Sequence, residues 1–298
     1  MRGCVRCGVA CCASIILMAA LQARGETSLL KRHKSTESQA AGGTTSKVDI
    51  QEQAWQVLQS GIHNRHSGQR VEAVKALSLM QGDEHALKLA LHALNDKNSR
   101  VRAAAASTLG SLHSERAIPA LRTALSDKET SVMLAATQAL YVMKDPAAYD
   151  IYYAILMRDK KSSAGLVESQ INRLKDPKEV AEIGFQEGLG FVPYGGMGYE
   201  AYRTIKSKGS APARATAARL LALDPDPVSE DALMQAALAD KDQAVRQAAL
   251  DALAQRGNPH CIERLSRNLT YKHYAVRYRT AATIIHLGSL EGRKIAGR

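Results

Sequence analysis

The chain has 298 residues, 45% of them hydrophobic but only 4% aromatic, with 40 basic against 29 acidic side chains and a formal charge of +11. A basic balance invites anionic partners, yet charges of both signs are interspersed through most of the length. Four of the five cysteines fall within the first 12 residues, so no disulfide framework can hold the remainder and its stability must come from packing.

Residues 1 to 25 read as a secretory signal peptide. Arg2 and Arg6 give a positive start, Gly8 to Leu21 is apolar without a charge, and Ala23-Arg24-Gly25 offers the small residues that a signal peptidase reads. The apolar run is shorter than the ~20 residues a spanning helix needs, which favours a cleaved signal and an exported, periplasmic or extracellular protein. Cys4-x-x-Cys7 lies inside this segment with no second pair at ligand spacing, so no metal site is expected. Without Arg2, Arg6 and Arg24 the balance falls to 37 basic against 29 acidic, a charge of +8, and only Cys261 remains.

Residues 26 to 46, with Lys31-Arg32-His33-Lys34 and Gly42-Gly43-Thr44-Thr45-Ser46, lack the apolar surface to order themselves and read as a flexible leader. From position 47 the pattern becomes helical. Ile50, Ala54, Val57 and Leu58 open the first hairpin, with Trp55 packing on or capping it.

Beyond that point a block recurs. Asp96-Lys97-Asn98-Ser99-Arg100-Val101-Arg102 returns around Asp127 and again around Asp240, and the equivalent anchors are Arg65, Asp96, Asp127, Asp159, Lys208, Asp240 and Tyr271. Successive anchors stand 31, 31, 32, 49, 32 and 31 residues apart, so one step carries about 17 extra residues, as repeat arrays do when they accept an insertion. After each anchor the apolar residues fall at i, i+3, i+4, i+7 and i+8: Val101, Ala104, Ala105, Thr108 and Leu109, then Val132, Ala135, Ala136, Ala139 and Leu140, then Val245, Ala248, Ala249, Ala252 and Leu253. That is one stripe of a 3.6-residue helix. A second helix precedes each anchor, as in Leu87, Ala90, Leu91 and Leu94. Such hairpins cannot bury their apolar faces alone and must stack.

Here the chain resembles the HEAT repeat family, and within it the HEAT-like repeats of phycobilisome lyases. The resemblance rests on the Asp-x5-Arg pairs Asp96/Arg102 and Asp240/Arg246, the Val-Arg-x-x-Ala block and Pro119 inside a first helix. It implies an all-α, right-handed α-solenoid of about seven hairpins over residues 47 to 298, with Asp and Arg side chains forming a structural ladder along neighbouring turns. Met133 after Asp127 and Lys208 before Arg214 depart from the pattern, and the last unit reads from Val276-Arg277 or from Tyr278-Arg279.

The insertion, near 177–207, holds the sharpest change in composition. Gly184 to Tyr199 contains six glycines and both phenylalanines, and seven of the ten tyrosines lie between positions 141 and 202. Tyrosine offers apolar area with a polar tip, and glycine lets another backbone approach. Phe191, Tyr194, Tyr199, Tyr202 and Tyr152 are therefore the candidate partner-binding residues; a glycine-faced helix hairpin docking on the solenoid would have the same composition. Gly195-Gly196-Met197-Gly198 has no following Lys-Ser/Thr and no acidic partner at dinucleotide spacing, so no phosphate-bearing cofactor is expected. Shallow membrane-surface contact by Phe185, Leu189, Phe191 and Val192 stays open.

Catalytic constellations are missing from the sequence. His63 and His66 have no third ligand nearby. HEAT-type hydroxylases hold two irons with His-Glu pairs, whereas this chain has Glu84-His85 in the reverse order and no His-Glu. No nucleophile elbow is recognisable. The reading is a non-enzymatic, exported scaffold that binds a protein partner in the cell envelope, needs no cofactor or metal, and disfavours nucleic acid. The alternatives are a lyase-like enzyme that uses the aromatic insertion as a pocket, and a nucleic-acid or membrane-surface binder.

Overall fold

The computed structural model describes residues 46–157 and 210–296, and every described element is a helix. In chain order these are α1 (Lys47–Ile62), α2 (Ser67–Ala76), α3 (Glu84–Ala93), α4 (Ser99–Leu112), α5 (Ile118–Ala124), α6 (Thr130–Val142) and α7 (Pro146–Met157). After residues 158–209 come α8 (Ser210–Leu221), α9 (Pro227–Ala239), α10 (Gln243–Arg256), α11 (Ile262–Leu265) and α12 (Tyr274–Ala296). The signal segment, the leader up to Thr45 and the insertion lie outside the described residues.

Local chemistry sets the helix boundaries. Ser46 and Asp49 form a reciprocal capping box on α1, and the side chains of Asp83, Asn98, Asp226 and Asp242 accept backbone N–H bonds at the starts of α3, α4, α9 and α10. Such caps satisfy donors that a helix start leaves without partners, each worth about 1 kcal/mol. Helix α10 ends on Gly257 at φ +69°, a left-handed conformation that costs glycine nothing. Pro119 and Pro227 sit in first turns, where a missing N–H is harmless.

The repeating stripes are buried as their spacing requires. Val101, Ala105, Leu109, Val132, Ala135, Leu140, Val245, Ala249 and Leu253 are all within 2% of full burial. Alanine and glycine in these stripes bring backbones close. A Cβ built on Gly110 would lie 2.8 Å from Ala139 Cβ and 2.9 Å from its Cα. Thr108, also buried, donates its hydroxyl to the Val74 carbonyl of the preceding hairpin at 3.1 Å. Two of the described first helices are short: α5 has seven residues and α11 four, each preceded by a 3-10 turn.

The second helices of the hairpins pack side by side, but the order of neighbours is not the order of the chain. Helices α2, α4 and α6 follow one another, as do α8, α10 and α12, and α12 then packs against both α1 and α2. The neighbours therefore run α8, α10, α12, α2, α4, α6, with the carboxyl-terminal hairpin joined to the amino-terminal one. This seam is close and specific. Tyr278, 1% exposed, lies where a Cβ on Gly61 would be 2.6 Å from its ring, and its hydroxyl donates to Gln69 Oε1 at 2.6 Å. Arg279 Nη1 donates to the Lys75 carbonyl at 3.1 Å, and Lys47 pairs with Glu291 at 3.0 Å. Gly288 leaves the space that the Gln51 amide occupies.

Candidate partner-binding surface

An arginine ladder fixes the turns between paired helices. Arg70 grips Asp96 through Nε and Nη2 at 2.7 and 2.8 Å, and Arg102 grips Asp127 at the same two distances. Arg214 holds Asp240 at 2.9 and 3.1 Å. In each case the arginine reaches the aspartate of the following hairpin, while Nη1 of Arg70 and of Arg102 returns to carbonyls of its own turn, Asn64 and Asp96. The forked guanidinium suits this double duty. Burial alone would raise the Asp127 carboxyl, but the hydrogen bonds from Arg102 and the Glu129 N–H, with the attraction of Arg102, hold it below its ordinary value. Asp96 is lowered by the same balance.

The ladder changes at the seam. Arg246 meets Tyr271 in place of an aspartate, with its guanidinium 4.3 Å from the ring centroid. Its Nε donates to the Asp240 carbonyl at 2.6 Å, and its buried Nη1 has no partner. Arg277 Nη1 donates to the Tyr271 carbonyl at 3.2 Å, repeating the backbone bond of Arg70 and Arg102. The last ladder position is therefore Arg277, and Arg279 instead serves the seam.

At the other limit of the neighbour order, tyrosines gather on α6 and α7. The turn between these helices is sharp: Lys144 takes φ +60°, the Asp145 N–H donates to the Leu140 carbonyl at 2.8 Å, and Asp145 caps α7 while pairing with Arg122 at 2.8 Å. That turn folds α7 back so that Tyr141 meets Tyr152 edge-on at 5.6 Å and Tyr149 at 5.5 Å. Tyr152 is half-buried and donates to Gln138 Oε1 at 2.8 Å; burial, with Tyr141 beside it, pushes its hydroxyl above its ordinary pKa. Tyr141 and Tyr149 are 42% and 51% exposed. Among the predicted residues Tyr152 thus belongs to an aromatic cluster, as the anchor that positions the other two. Phe191, Tyr194, Tyr199 and Tyr202 lie outside the described residues. Tyr141 and Tyr149 carry the exposed area, and the concentration of tyrosines between positions 141 and 202 was the sequence signal for them.

No group of three or more His, Cys, Asp or Glu converges as a metal site among the described residues. His63 is exposed and its ring lies 6.5 Å from that of His92, whereas His66 accepts from Arg65 Nε at 3.1 Å, so the two histidines do not face one ligand. Glu84 and His85 also diverge: Glu84 pairs with Arg116 and His85 meets Gln59 at 3.2 Å. A cavity of about 350 Å³ lies beside the first ladder pair, lined by His63, Arg65, Arg70, His92, Asp96 and Lys97 among others. Its lining is polar and half open. No helix among the described residues is long and apolar enough to cross a membrane.

Among solved structures the chain is similar to human deoxyhypusine hydroxylase in complex with glycerol, at 17% identity over 83% of this chain and all of that one, with a TM-score of 0.33. No curated protein matches the sequence. The family model for HEAT repeats matches residues 55–141, 87–163 and 204–285, which together span more than half of the chain and coincide with the stacked hairpins and their Arg–Asp ladder. The chain belongs to the HEAT repeat family.

Proposed function

We propose that this protein is an exported, non-enzymatic scaffold that holds a protein partner in the cell envelope. Stacked hairpins present long helix-lined faces and commonly serve interaction. The observation that supports the reading most directly is the exposed Tyr141–Tyr149 pair, braced by Tyr152. Aromatic side chains that are already packed on one side lose little freedom on binding and dominate interface energetics. Phe191, Tyr194, Tyr199 and Tyr202 of the insertion remain candidate partner-binding residues by composition. Tyr152 supports the exposed pair.

The test is capture from an envelope extract by wild-type chain and by Y141A/Y149A, with captured proteins identified by mass spectrometry and helical content followed by circular dichroism. A partner retained by wild type and lost by the double variant at unchanged helicity supports the scaffold. Equal capture by both proteins removes the tyrosine patch from the mechanism. Export is tested separately: amino-terminal sequencing of the mature protein should begin near residue 26, and an intact Met1 on cytoplasmic material would refute it.

A further inference from the structure

The two turns that flank the seam lack acid. The turns before α4, α6 and α10 carry carboxylates, Asp96 beside Lys97, Asp127 and Glu129 about Lys128, and Asp240 and Asp242 about Lys241. By contrast His63-Asn64-Arg65-His66 before α2 and Tyr271-Lys272-His273 before α12 carry no carboxylate at all. The starts of these two helices are neighbours, since a Cβ on Gly68 would lie 3.6 Å from Tyr274 Oη. Ser67, Gly68, Arg100 and Tyr274, with the Glu72–Lys75 pair, line one cavity of about 400 Å³ there. The His66 side chain does not cap α2, so the backbone N–H groups at that helix start add positive potential of their own.

Arg246 gives a second, independent sign. It is 8% exposed with an unpartnered Nη1, and it faces the Tyr271 ring where Arg70, Arg102 and Arg214 each hold a carboxylate through Nε and Nη2. A buried guanidinium with an unsatisfied N–H is costly, and Tyr271 offers its ring face in place of an oxygen. Asp240, whose carbonyl takes the Arg246 Nε, already gives its carboxylate to Arg214, and at the α2 side Asp96 is held by Arg70 and Glu72 by Lys75 at 3.4 Å.

We propose that the edge formed by residues 63–66 and 271–273 docks an acidic peptide segment, whose carboxylates pair with Arg65 and Lys272 and take the ladder seat over Arg246 when the Tyr271 ring turns aside. Carboxylate fits better than a nucleic acid because the seat is one that single aspartates fill in the other hairpins. A tract of two turns also falls short of the run of phosphate contacts that makes nucleic-acid binding strong. The ligand being a protein segment agrees with the scaffold reading, but the residues are different, so loss of function in Y141A/Y149A and in the variants below are separable results.

The test uses the full chain and fluorescein-labelled hexaglutamate, read by anisotropy. Hexaglutamate should bind, weaken steeply between low and physiological salt, and lose at least tenfold in affinity in R65E/K272E, while labelled hexaglutamine should not bind. Y271D supplies the missing carboxylate from within: it should raise the urea midpoint and weaken hexaglutamate binding. Affinity unchanged in R65E/K272E would overturn the site, as would a labelled oligothymidylate that binds more tightly than hexaglutamate, or sedimentation with anionic vesicles but no peptide binding. A lowered urea midpoint in Y271D would overturn the assignment of the ladder seat.

Discussion

Tyr278 on α12 donates its hydroxyl to Gln69 Oε1 on α2, a bond of 2.6 Å between residues 209 positions apart. It ties the last hairpin to the first, and it does so in a fully packed setting, with Gly61 providing the room for the ring. Loop-closure cost rises only slowly with chain length, so a long separation in sequence does not forbid so specific a contact.

Gly61→Ala should therefore destabilise the protein. The added methyl would meet Tyr278 Cε1 and Cζ at 2.6 Å and Ala73 Cβ at 2.8 Å, overpacking that typically costs about 1–3 kcal/mol. The same substitution in a Tyr278→Ala background should cost less, because the ring is gone and only the Ala73 contact remains. A double-mutant cycle on urea midpoints checks this, and additive losses would show that Gly61 is not reserved for Tyr278.

Glycines elsewhere should separate into two kinds. Gly110→Ala would bring its methyl within 2.9 Å of Ala139 Cα, and backbone cannot yield as a side-chain tip can. A loss of about 1–3 kcal/mol is expected. Gly292 on α12 has nothing within 4 Å of its Cβ position, so Gly292→Ala should be neutral or gain up to about 1 kcal/mol from helix propensity. Thermal melts should show a lowered midpoint for Gly110→Ala and an unchanged or raised one for Gly292→Ala.

The stripes, the hairpins and the turn carboxylates were legible in the sequence because each is a local pattern: Val132, Ala135, Ala136, Ala139 and Leu140 declare a buried helix face by spacing alone. The seam was not. Nothing within 20 residues of Gly61 says that Tyr278 will lie on it, since periodicity identifies a face and not its neighbour. Tyr271 stood in the aligned anchors as a departure from Asp, yet only the position of Arg246 under its ring shows what the departure does. Arg277 and Arg279 were equivalent by motif, and the carbonyl of Tyr271 separates them. The aromatic content around positions 141 to 152 was visible, but which tyrosine braces and which ones are exposed depends on the left-handed turn at Lys144.

Cys261 should be silent toward thiol reagents. It is 3% exposed, and its pKa is pushed up to about 12, first by burial and then by the Glu230 carboxylate, which also accepts from Sγ at 3.5 Å. The thiolate is the reactive form. A chain that begins at residue 26, with Cys261 its one cysteine, should stay unmodified by iodoacetamide at pH 8 when native and gain one adduct in denaturant. Rapid native labelling would place Cys261 in a more open setting than its packing against the core allows.

The ladder predicts how stability responds to acid. Asp96, Asp127 and Asp240 all titrate below the ordinary carboxylate range in the folded chain. A group whose folded pKa lies below its unfolded value, about 3.9 for aspartate, contributes stability that is complete above the unfolded value and is lost as pH falls through the folded one. Urea midpoints should therefore hold from pH 7 to 5 and decline below about 4. Arg102→Met reverses the local logic. Asp127, whose side chain is 14% exposed, loses the Arg102 cation and keeps the Glu129 N–H bond at 2.9 Å, so burial weighs more heavily and raises its pKa. Removing one member of a buried pair costs about 3–5 kcal/mol, but only while Asp127 is ionised. The deficit of Arg102→Met should be largest at pH 7 and shrink as Asp127 takes up a proton in acid. A deficit that stays constant from pH 7 to 3 would mean that Arg102 stabilises the turn through its bonds to the Asp96 and Lys97 carbonyls and not through Asp127.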